Sequence, residues 1–424
     1  MNPKNCFKNG ILQSTLLIIL FLFPISAIAT SSVGFDEYIV LTKNKPFASQ
    51  LLHKNAVYEI RDKFDLRGAK ITIPSDCMLI FRGGSFSNGI VEFNNCIIEA
   101  PLYAIFHNKM TCIGKPNVPT IYPEWFGAIG DGHKDDTKAI QKCIDMGISV
   151  SLSSKTYKIT QPLTLKSGCT LQGNGWSTTI KAVKCNAIES QNTCNGVLIR
   201  DMKIEGDQSP SHSGIYITAP MPKMIIQNLH ISNFGYYGMC LLKSWDYAIE
   251  NVNLTTNKNG LYAEQFNSSN LQKVVAFQNS GIGLKIVSSS NARISGTIQE
   301  NGLQGLLLLG CHACSVNIYG EQNGYLGKTN EESCEILISS GGKANDCSNN
   351  NIIQFYLNGG KGTKMQSKYG LYLNWASENF LNGYSLRHTV NDIYETTNSD
   401  RNVITDTAPK TVNHLTKKNI KIQE

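Results

Sequence analysis

The sequence predicts an all-β protein folded as a right-handed parallel β-helix, a solenoid of coils of about 22 residues with a short N-terminal capping helix. Four asparagines recur at intervals of 22 residues: Asn257, Asn279, Asn301 and Asn323. Four short apolar runs each follow a glycine, at steps of 22, 23 and 22 residues: Gly238, Gly260, Gly283 and Gly305. Between these markers, runs such as "IENVNLTT" and "ARISGTIQ" alternate in the way that β-strands do.

A unit of this size holds two or three short strands and cannot bury its own apolar face, but stacked copies can bury theirs together. Asparagine and glycine at a fixed phase supply the turn conformations that most residues avoid. Stacked asparagines can also hydrogen-bond along the pile. Less regular coils of the same texture occupy residues 71–100 and 163–182. We therefore expect the stack to extend over most of the chain.

The first 29 residues have the pattern of a secretory signal peptide. Lys4 and Lys8 precede an apolar run that closes on Ala27-Ile28-Ala29, so we expect cleavage after Ala29. An N-terminal membrane anchor is the alternative interpretation. Because no later run approaches about 18 apolar residues, no stable membrane span is expected after signal cleavage. The predicted location is secreted, periplasmic or at the cell surface.

The remaining chain is predicted to form three parts. Residues 30–120 have the composition of N-terminal β-rich coils, and residues 121–400 form the parallel β-helix. A motif at residues 122–147 is expected to form the first part of the parallel β-helix. Residues 401–424 are polar and rich in lysine, and we expect them to be a C-terminal tail or a cap on the stack.

The net charge is mildly positive, at +7, and it falls to +5 when Lys4 and Lys8 are removed with the signal peptide. This charge suits an acidic partner without requiring one. No Lys/Arg-rich run with interleaved aromatic residues is present, so nucleic acid is not an expected partner. Oligomeric state stays open between a monomer and a trimer.

Twelve cysteines lie beyond the predicted signal peptide, an even number that would permit disulfides in an exported protein. They are scattered singly at strand-like positions such as Cys77 and Cys96, where cysteine often serves as a small buried hydrophobe. The sequence "CHAC" at residues 311–314 has CxxC spacing but lacks the second pair that a tetrahedral zinc would need. No metal site is predicted.

The segment "FGAIGDGHKDDTKAIQKCID", residues 126–145, concentrates ionisable residues: Asp131, His133, Asp135 and Asp136. Asp131 suits an Asx turn between glycines, and Asp135 or Asp136 can cap a following helix. That helix, predicted from Thr137 to Met146, carries an apolar stripe made of Ala139, Ile140, Cys143 and Ile144. His133 has no partner at ligand spacing. We interpret these residues as builders of the fold that cover the end or flank of the stack, and not as a catalytic site.

A longer stretch carries a family resemblance. "YPEWFGAIGDGHKDDTKAIQKCID", followed by "YKITQPLTLKSGCTLQGNG", resembles the segment that begins the β-helix of pectate-lyase-like proteins. That superfamily includes polysaccharide lyases, glycoside hydrolases and bacteriophage tailspikes. The resemblance covers about 50 residues. It implies the parallel β-helix fold and a polysaccharide partner.

Strand alternation predicts which side chains of the middle coils face outward. The residue after each repeat glycine should point inward, and this series is apolar: Met239, Leu261, Leu284 and Leu306. The next residue should point outward: Tyr216, Cys240, Tyr262, Lys285, Leu307 and Tyr372. Two positions further along each strand come Thr218, Leu242, Glu264, Val287, Leu309 and Asn374.

This register places Tyr262, Glu264 and Lys285 together on one exposed sheet, and we take them as the candidate catalytic residues. Neighbouring coils put Tyr262 and Lys285 about 4.8 Å apart, with Glu264 about 7 Å along the strand from Tyr262. The turns that flank them carry the candidate substrate-binding residues: His212, Tyr237, Trp245, Asn267 and His312. Tyr236, next to Tyr237, is a further residue that could form a wall of the site. The alternative is an ordinary surface with a ladder salt bridge.

These residue types suit β-elimination on a uronic-acid polymer, which requires neutralisation of a carboxylate, removal of the C5 proton and protonation of the leaving oxygen. Lysine can balance the carboxylate or act as a base, and tyrosine can act as a base or an acid. The residue sets that the resemblance implies for polygalacturonase-type hydrolases (Asn-Thr-Asp, Gly-His-Gly) are absent, as is the Arg-x-Pro motif of pectate lyases.

We therefore expect a secreted polysaccharide lyase, with a glycosaminoglycan such as chondroitin sulfate or hyaluronan favoured over pectin or alginate. A glycoside hydrolase of the same fold is the nearest enzymatic alternative. A non-catalytic, adhesin-like glycan-binding protein is the alternative from another class. No cofactor is predicted, although Ca²⁺ is compatible with lyase chemistry.

Overall fold

The computed structural model describes residues 34–107, 109–340, 347–360, 362–406 and 420–421. The predicted signal peptide and most of the predicted C-terminal tail lie outside the described residues. Within them, the strands stack in parallel into a right-handed β-helix with coils of roughly 23 residues. The helical segments described are one α-helix, Thr137–Asp145, and three short 3-10 helices: Ala48–Gln50, Pro123–Phe126 and Gly175–Ser177. The predicted fold class is confirmed.

The larger sheet has fifteen strands, which pair in parallel through successive coils. These strands are Asp131–Asp135, Val150–Ser151, Thr156–Ile159, Thr170–Gln172, Thr179–Ala182, Leu198–Glu205, Ile225–Ser232, Ala248–Thr255, Asn270–Phe277, Arg293–Gln299, Ser315–Glu321, Ile352–Asn358, Phe380–Leu386, Val403–Asp406 and Ile420–Lys421. Several long strands contain a residue with a left-handed backbone near their middle, such as Asp201, Asn228 and Asn251, with φ between 53° and 59°. Each such residue bends its strand, so the fifteen-stranded sheet forms two faces of the coil.

The other main sheet has ten strands and forms the remaining face. These strands are Leu163–Thr164, Ile188–Ser190, Ile215–Ile217, Tyr237–Leu241, Asn259–Glu264, Leu284–Val287, Leu306–Leu309, Cys334–Ser339, Tyr369–Asn374 and Asn391–Glu395. The predicted inward series is in register across it and completely buried: Met239, Leu261, Leu284 and Leu306. The predicted alternation is therefore confirmed, and it fixes which side chains face outward.

Smaller sheets form the N-terminal coils. Their strands are Glu37–Leu41, Ala56–Ile60, Met78–Phe81 and Ile97–Glu99 in one sheet, Lys70–Thr72, Gly89–Glu92 and Met110–Ile113 in a second, and the pair Lys63–Asp65 and Ser85–Ser87. A further pair, Ser348–Asn349 and Ala376–Ser377, lies in the later coils. One hydrophobic core runs continuously from Leu41 to Ile404. The predicted boundaries between the three parts of the chain, after residues 120 and 400, stay predictions.

The asparagines spaced by 22 residues form a buried ladder, as predicted. The Asn279 side-chain amide donates to Asn301 Oδ1 at 2.8 Å, and that of Asn301 donates to Asn323 Oδ1 at 2.7 Å. The ladder ends on a carboxyl group, because Asn323 donates its backbone N–H and its amide to Glu335. Burial raises the pKa of the Glu335 carboxyl to about 8. A second ladder has the same design and ends on Glu395: Asn351, Asn379 and Asn402.

The acidic segment at residues 131–136 builds the fold, as predicted. Asp136 is buried, and its carboxylate accepts the backbone N–H groups of Ile129 and Gly130. Asp131 accepts two N–H groups in its own turn, and Asp135 accepts that of Thr137 at the start of the helix. The predicted apolar stripe is buried: Ala139, Ile140, Cys143 and Ile144.

One boundary of this segment differs from the prediction. The helix ends at Asp145, one residue earlier than expected, and Gly147 follows in a left-handed conformation with φ of 63°. His133 is exposed. The motif is therefore a capped turn and helix at the flank of the stack.

All twelve cysteines of the described residues are free, and ten of them are buried. This agrees with their predicted use as small core residues. Across the described ranges, no group of three or more His, Cys, Asp or Glu side chains has the geometry to hold a metal ion. In the same part of the chain, no helix has the length and apolar character needed to span a membrane.

Candidate functional site

A pocket of about 340 Å³ lies on the outer face of the ten-stranded sheet. It contains all three predicted catalytic residues and one of the five predicted binding residues, Tyr237. Its lining consists of Tyr216, Tyr236, Tyr237, Cys240, Leu242, Tyr262, Glu264 and Lys285. This volume lies at the lower end of the range for small-ligand sites.

The strand register brings these side chains together. Tyr262 pairs with Cys240 in the preceding coil and with Lys285 in the following coil. Tyr216 pairs with Cys240 one coil earlier still. Because the neighbours of these residues along each strand point into the core, the residues themselves must face outward. Four consecutive coils therefore each place one outward-facing residue in a single column along the pocket: Tyr216, Cys240, Tyr262 and Lys285.

Tyr262 contacts both of the charged residues in the pocket. The Lys285 ammonium nitrogen lies 5.3 Å from the centre of the Tyr262 ring, within the range of a cation–π contact. The Tyr262 hydroxyl donates a hydrogen bond to Glu264 Oε2 at 3.3 Å. A carboxylate, a phenol and an ammonium group are thus in continuous contact, as the sequence register predicted.

The environment keeps the phenol of Tyr262 protonated. Burial, followed by the negative charge and hydrogen bond of Glu264, raises the pKa of Tyr262 to about 12. Burial also raises the pKa of Tyr237 to about 12 and that of the Cys240 thiol to about 11. Near neutral pH, the side chains of Tyr262, Tyr237 and Cys240 therefore keep their protons.

Aromatic rings form one wall of the pocket. The rings of Tyr236 and Tyr237 lie 4.5 Å apart between centroids, and those of Tyr237 and Tyr262 lie 5.7 Å apart. Tyr236 is 42% exposed and stands at the mouth of the pocket. Tyr216 and Leu242 also line it, although sequence reasoning gave them no role. Their positions in the outward series were the signal that could have identified them.

Four predicted binding residues do not line this pocket. The His212 carbonyl accepts the backbone N–H of Tyr236 at 3.1 Å, so His212 supports the turn beneath the wall. Trp245, 54% exposed, pairs with Asn267 in a column of turns that follow the strands. His312 lies in the same column and contacts the Asn349 side chain through Nδ1 at 3.0 Å. Strand alternation does not fix where a turn residue points, and a binding role for these residues stays a prediction.

Comparison with known proteins supports the fold assignment. Residues 124–186 match the family described as rhamnogalacturonase A/epimerase, pectate lyase-like. This region includes most of the segment on which the resemblance was based. No curated protein matches the chain in sequence.

Several solved structures are similar in fold. The enzymatically active domain of tailspike protein 2 from bacteriophage CBA120 aligns with a TM-score of 0.53 and 18% identity, over 70% of this chain and 54% of that domain. The full-length tailspike protein 2 from an Escherichia coli O157:H7 bacteriophage aligns with a TM-score of 0.50 and 18% identity, over 68% and 43%. This chain therefore spans about half the length of the tailspikes that it matches.

A third similar structure is the A-module of the mannuronan C-5 epimerase AlgE4 from Azotobacter vinelandii. It aligns with a TM-score of 0.42 and 15% identity, over 71% of this chain and 100% of the module. At these identities, the likeness to solved structures establishes the fold alone.

Proposed function

Because the chain has the parallel β-helix fold of pectate-lyase-like proteins, we propose that it is a secreted polysaccharide lyase that cleaves a uronic-acid polymer by β-elimination. The supporting observation is the contact of Tyr262 with both Glu264 and Lys285 in one pocket. The proposed substrate is a glycosaminoglycan such as chondroitin sulfate or hyaluronan, ahead of pectin or alginate.

Lys285 is the residue proposed to neutralise the substrate carboxylate. Removal of the C5 proton shifts negative charge onto that carboxylate, so a cation fixed beside it stabilises the transition state more than the ground state. Lys285 is the one cationic side chain in the lining of the pocket. Its half-buried position over the Tyr262 ring reduces screening by water.

Glu264 and Tyr262 are proposed to act as base and acid. The Glu264 carboxylate takes the C5 proton, and the C5–H electrons form the C4–C5 double bond. The C4–O4 bond breaks, and the Tyr262 phenol gives its proton to the departing oxygen. The pKa of Tyr262, raised to about 12, suits an acid that holds its proton until charge develops on the leaving group.

The hydrogen bond between Glu264 and Tyr262 provides a path by which both residues return to their starting protonation states. After one turnover, Glu264 carries the C5 proton and Tyr262 is a phenolate. Proton transfer from Glu264 to Tyr262 along their 3.3 Å contact restores the starting state. The cycle is balanced and consumes no water.

A hydrolase has less support in this pocket. Inverting hydrolysis needs two carboxyl groups about 6.5–9.5 Å apart, and retaining hydrolysis needs a pair about 5 Å apart. The lining of the pocket supplies one, Glu264. The four tyrosines in the lining favour a different second candidate, glycan binding without chemistry, since aromatic rings provide rigid apolar contact.

The test is the ultraviolet absorbance of the C4–C5 double bond during incubation with a panel of polymers: chondroitin sulfate, hyaluronan, heparan sulfate, alginate and polygalacturonate. Each reaction is run with and without EDTA, so that a role for Ca²⁺ is measured directly. A rise supports elimination and identifies the polymer. New reducing ends without this absorbance would indicate hydrolysis. Binding without either product would favour the glycan-binding alternative.

A further inference from the structure

The outer face of the ten-stranded sheet changes character immediately after Lys285. Tyr262 and Lys285 are half-buried, whereas the next residues of the same column are covered, with exposures of 6% at Leu307, 3% at Leu337 and 7% at Tyr372. These three side chains belong to a separate apolar cluster on the outside of the sheet. Other parts of the chain therefore cover the outer face of the ten-stranded sheet beyond Lys285.

An enlarged turn contributes to this cover, together with the rings of Tyr369 and Tyr394, which lie 5.1 and 5.0 Å from the Tyr372 ring. In the two coils before it, residues 278–283 and 300–305 connect the large sheet to the ten-stranded sheet, six residues each time. In the next coil, residues 322–333 make the same connection with twice that length. We call residues 322–333 the crossing segment.

Contacts at Glu331 hold the crossing segment across the sheet. The Gln304 amide, in the turn that precedes the strand Leu306–Leu309, donates to the Glu331 carbonyl at 2.6 Å. The Asn374 amide, at the trailing end of a strand two coils later, donates to Glu331 Oε1 at 2.6 Å. One partner precedes its strand and the other ends its strand, so the Glu331 side chain reaches across the face between them.

The opposite end of the pocket has shorter connections than the crossing segment. Tyr236 is 42% exposed there, and the connections before the strands Ile215–Ile217 and Tyr237–Leu241 have nine and four residues, 206–214 and 233–236. Between Lys285 and the covered Leu307 there is one strand spacing, about 4.8 Å. A polymer lying along this sheet would meet the crossing segment directly after the residue bound at Lys285.

We propose that the crossing segment closes one end of the substrate groove, so that the pocket accepts the end of a polysaccharide chain and releases short products. This inference rests on the proposed lyase function and adds its mode of attack, which is exolytic. An open groove would instead bind a chain at internal positions and cut it at random.

The experiment follows product length through time on the polymer that gives the largest absorbance rise. For the wild type, the expected result is short unsaturated oligosaccharides from the earliest time point, while the mean length of the remaining polymer falls slowly. A broad range of product lengths at the earliest time would overturn the inference and leave the lyase function standing. No double bond with any polymer would overturn both.

Two variants test the crossing segment itself. Replacement of residues 325–330 by a two-residue turn should shift the early products toward longer chains. Asn374→Ala removes one anchor without shortening the chain, and should cause a smaller shift in the same direction. Asn317→Ala, at an exposed position of the other sheet, is the control and should leave the product lengths unchanged. If Asn374→Ala folds and gives wild-type products, while the shortened variant also gives wild-type products, the assignment is wrong.

Discussion

The Tyr262 hydroxyl donates to the Glu264 carboxylate from two positions away on the same strand, at 3.3 Å. The same arrangement occurs on the other sheet, where the Tyr319 hydroxyl donates to Glu321 at 3.0 Å. The two pairs differ in their surroundings. Tyr262 lies in the pocket under Lys285, whereas Tyr319 stacks on Tyr356 at an exposed surface. The Tyr319–Glu321 pair is therefore a matched control for the Tyr262–Glu264 pair of the pocket.

Tyr262→Phe should lower kcat by about 10²–10⁴-fold, because it removes the proposed acid while keeping the ring beneath Lys285. KM should change little. Initial rates of double-bond formation measure both constants. Tyr319→Phe should retain wild-type rates, and equal losses in the two variants would count against a catalytic role for Tyr262.

Lys285→Met should weaken substrate binding and lower the rate, since it removes the cation that faces the uronate carboxylate while keeping an apolar stem. Lys285→Arg should recover part of the binding. Affinity measured at two salt concentrations checks the electrostatic origin, because screening weakens the wild type more than the Met variant. Lys273→Met is the control, as Lys273 is exposed and pairs with Glu250 at 3.2 Å on the other sheet. Unchanged affinity together with an unchanged rate in Lys285→Met would exclude the proposed contact.

The Asn257–Asn323 register shows how much the sequence could predict. Turn residues at a constant interval fixed the coil length, the ladder and the inward series, and hence the positions of Tyr262 and Lys285. Trp245 and Asn267 were harder to place, because each lies in a turn where backbone angles and not alternation set the direction of the side chain. The crossing segment was not foreseen, since its position depends on the contacts of Glu331 with Gln304 and Asn374, which lie in other coils.

Glu335→Gln should flatten the dependence of stability on pH. The Glu335 carboxyl has a pKa of about 8 in the folded chain against an ordinary value of 4.5. The unfolded chain therefore loses this proton first, and the folded state loses stability as pH rises from 4.5 to about 8. The loss is of the order of a few kcal/mol.

Chemical denaturation at the two ends of that pH range measures this effect. The variant should be the more stable protein at the alkaline end, because a neutral amide takes the place of a buried carboxylate. Glu300→Gln serves as the control, since Glu300 is less buried and bonds to Gln278 near the surface. Parallel pH profiles for the wild type and Glu335→Gln would refute the assignment of the raised pKa.

Asn301→Ala should destabilise the fold by roughly 3–5 kcal/mol, because it leaves buried polar groups of the ladder without partners. The Asn301 amide donates to Asn323 at 2.7 Å and to the Ala276 carbonyl at 2.9 Å, and its oxygen accepts from Asn279. Thermal and chemical unfolding measure the change. Asn317→Ala, at an exposed strand position, should cost less than about 1 kcal/mol.

The 22-residue interval also makes the length of the pocket a quantity that changes only in whole steps. The crossing segment is attached to one coil and Lys285 to the coil two before it, so the distance between them is counted in coils. A duplication of residues 284–305, which adds one rung to the buried asparagine ladder without interrupting it, would move the crossing segment about 4.8 Å further from Tyr262 and Glu264. An insertion that does not complete a coil would only lengthen a turn, as in the second ladder, where Asn351 and Asn379 pair although they are 28 residues apart. Groove length in this solenoid is therefore quantised, and the preferred product length would change by increments and not gradually.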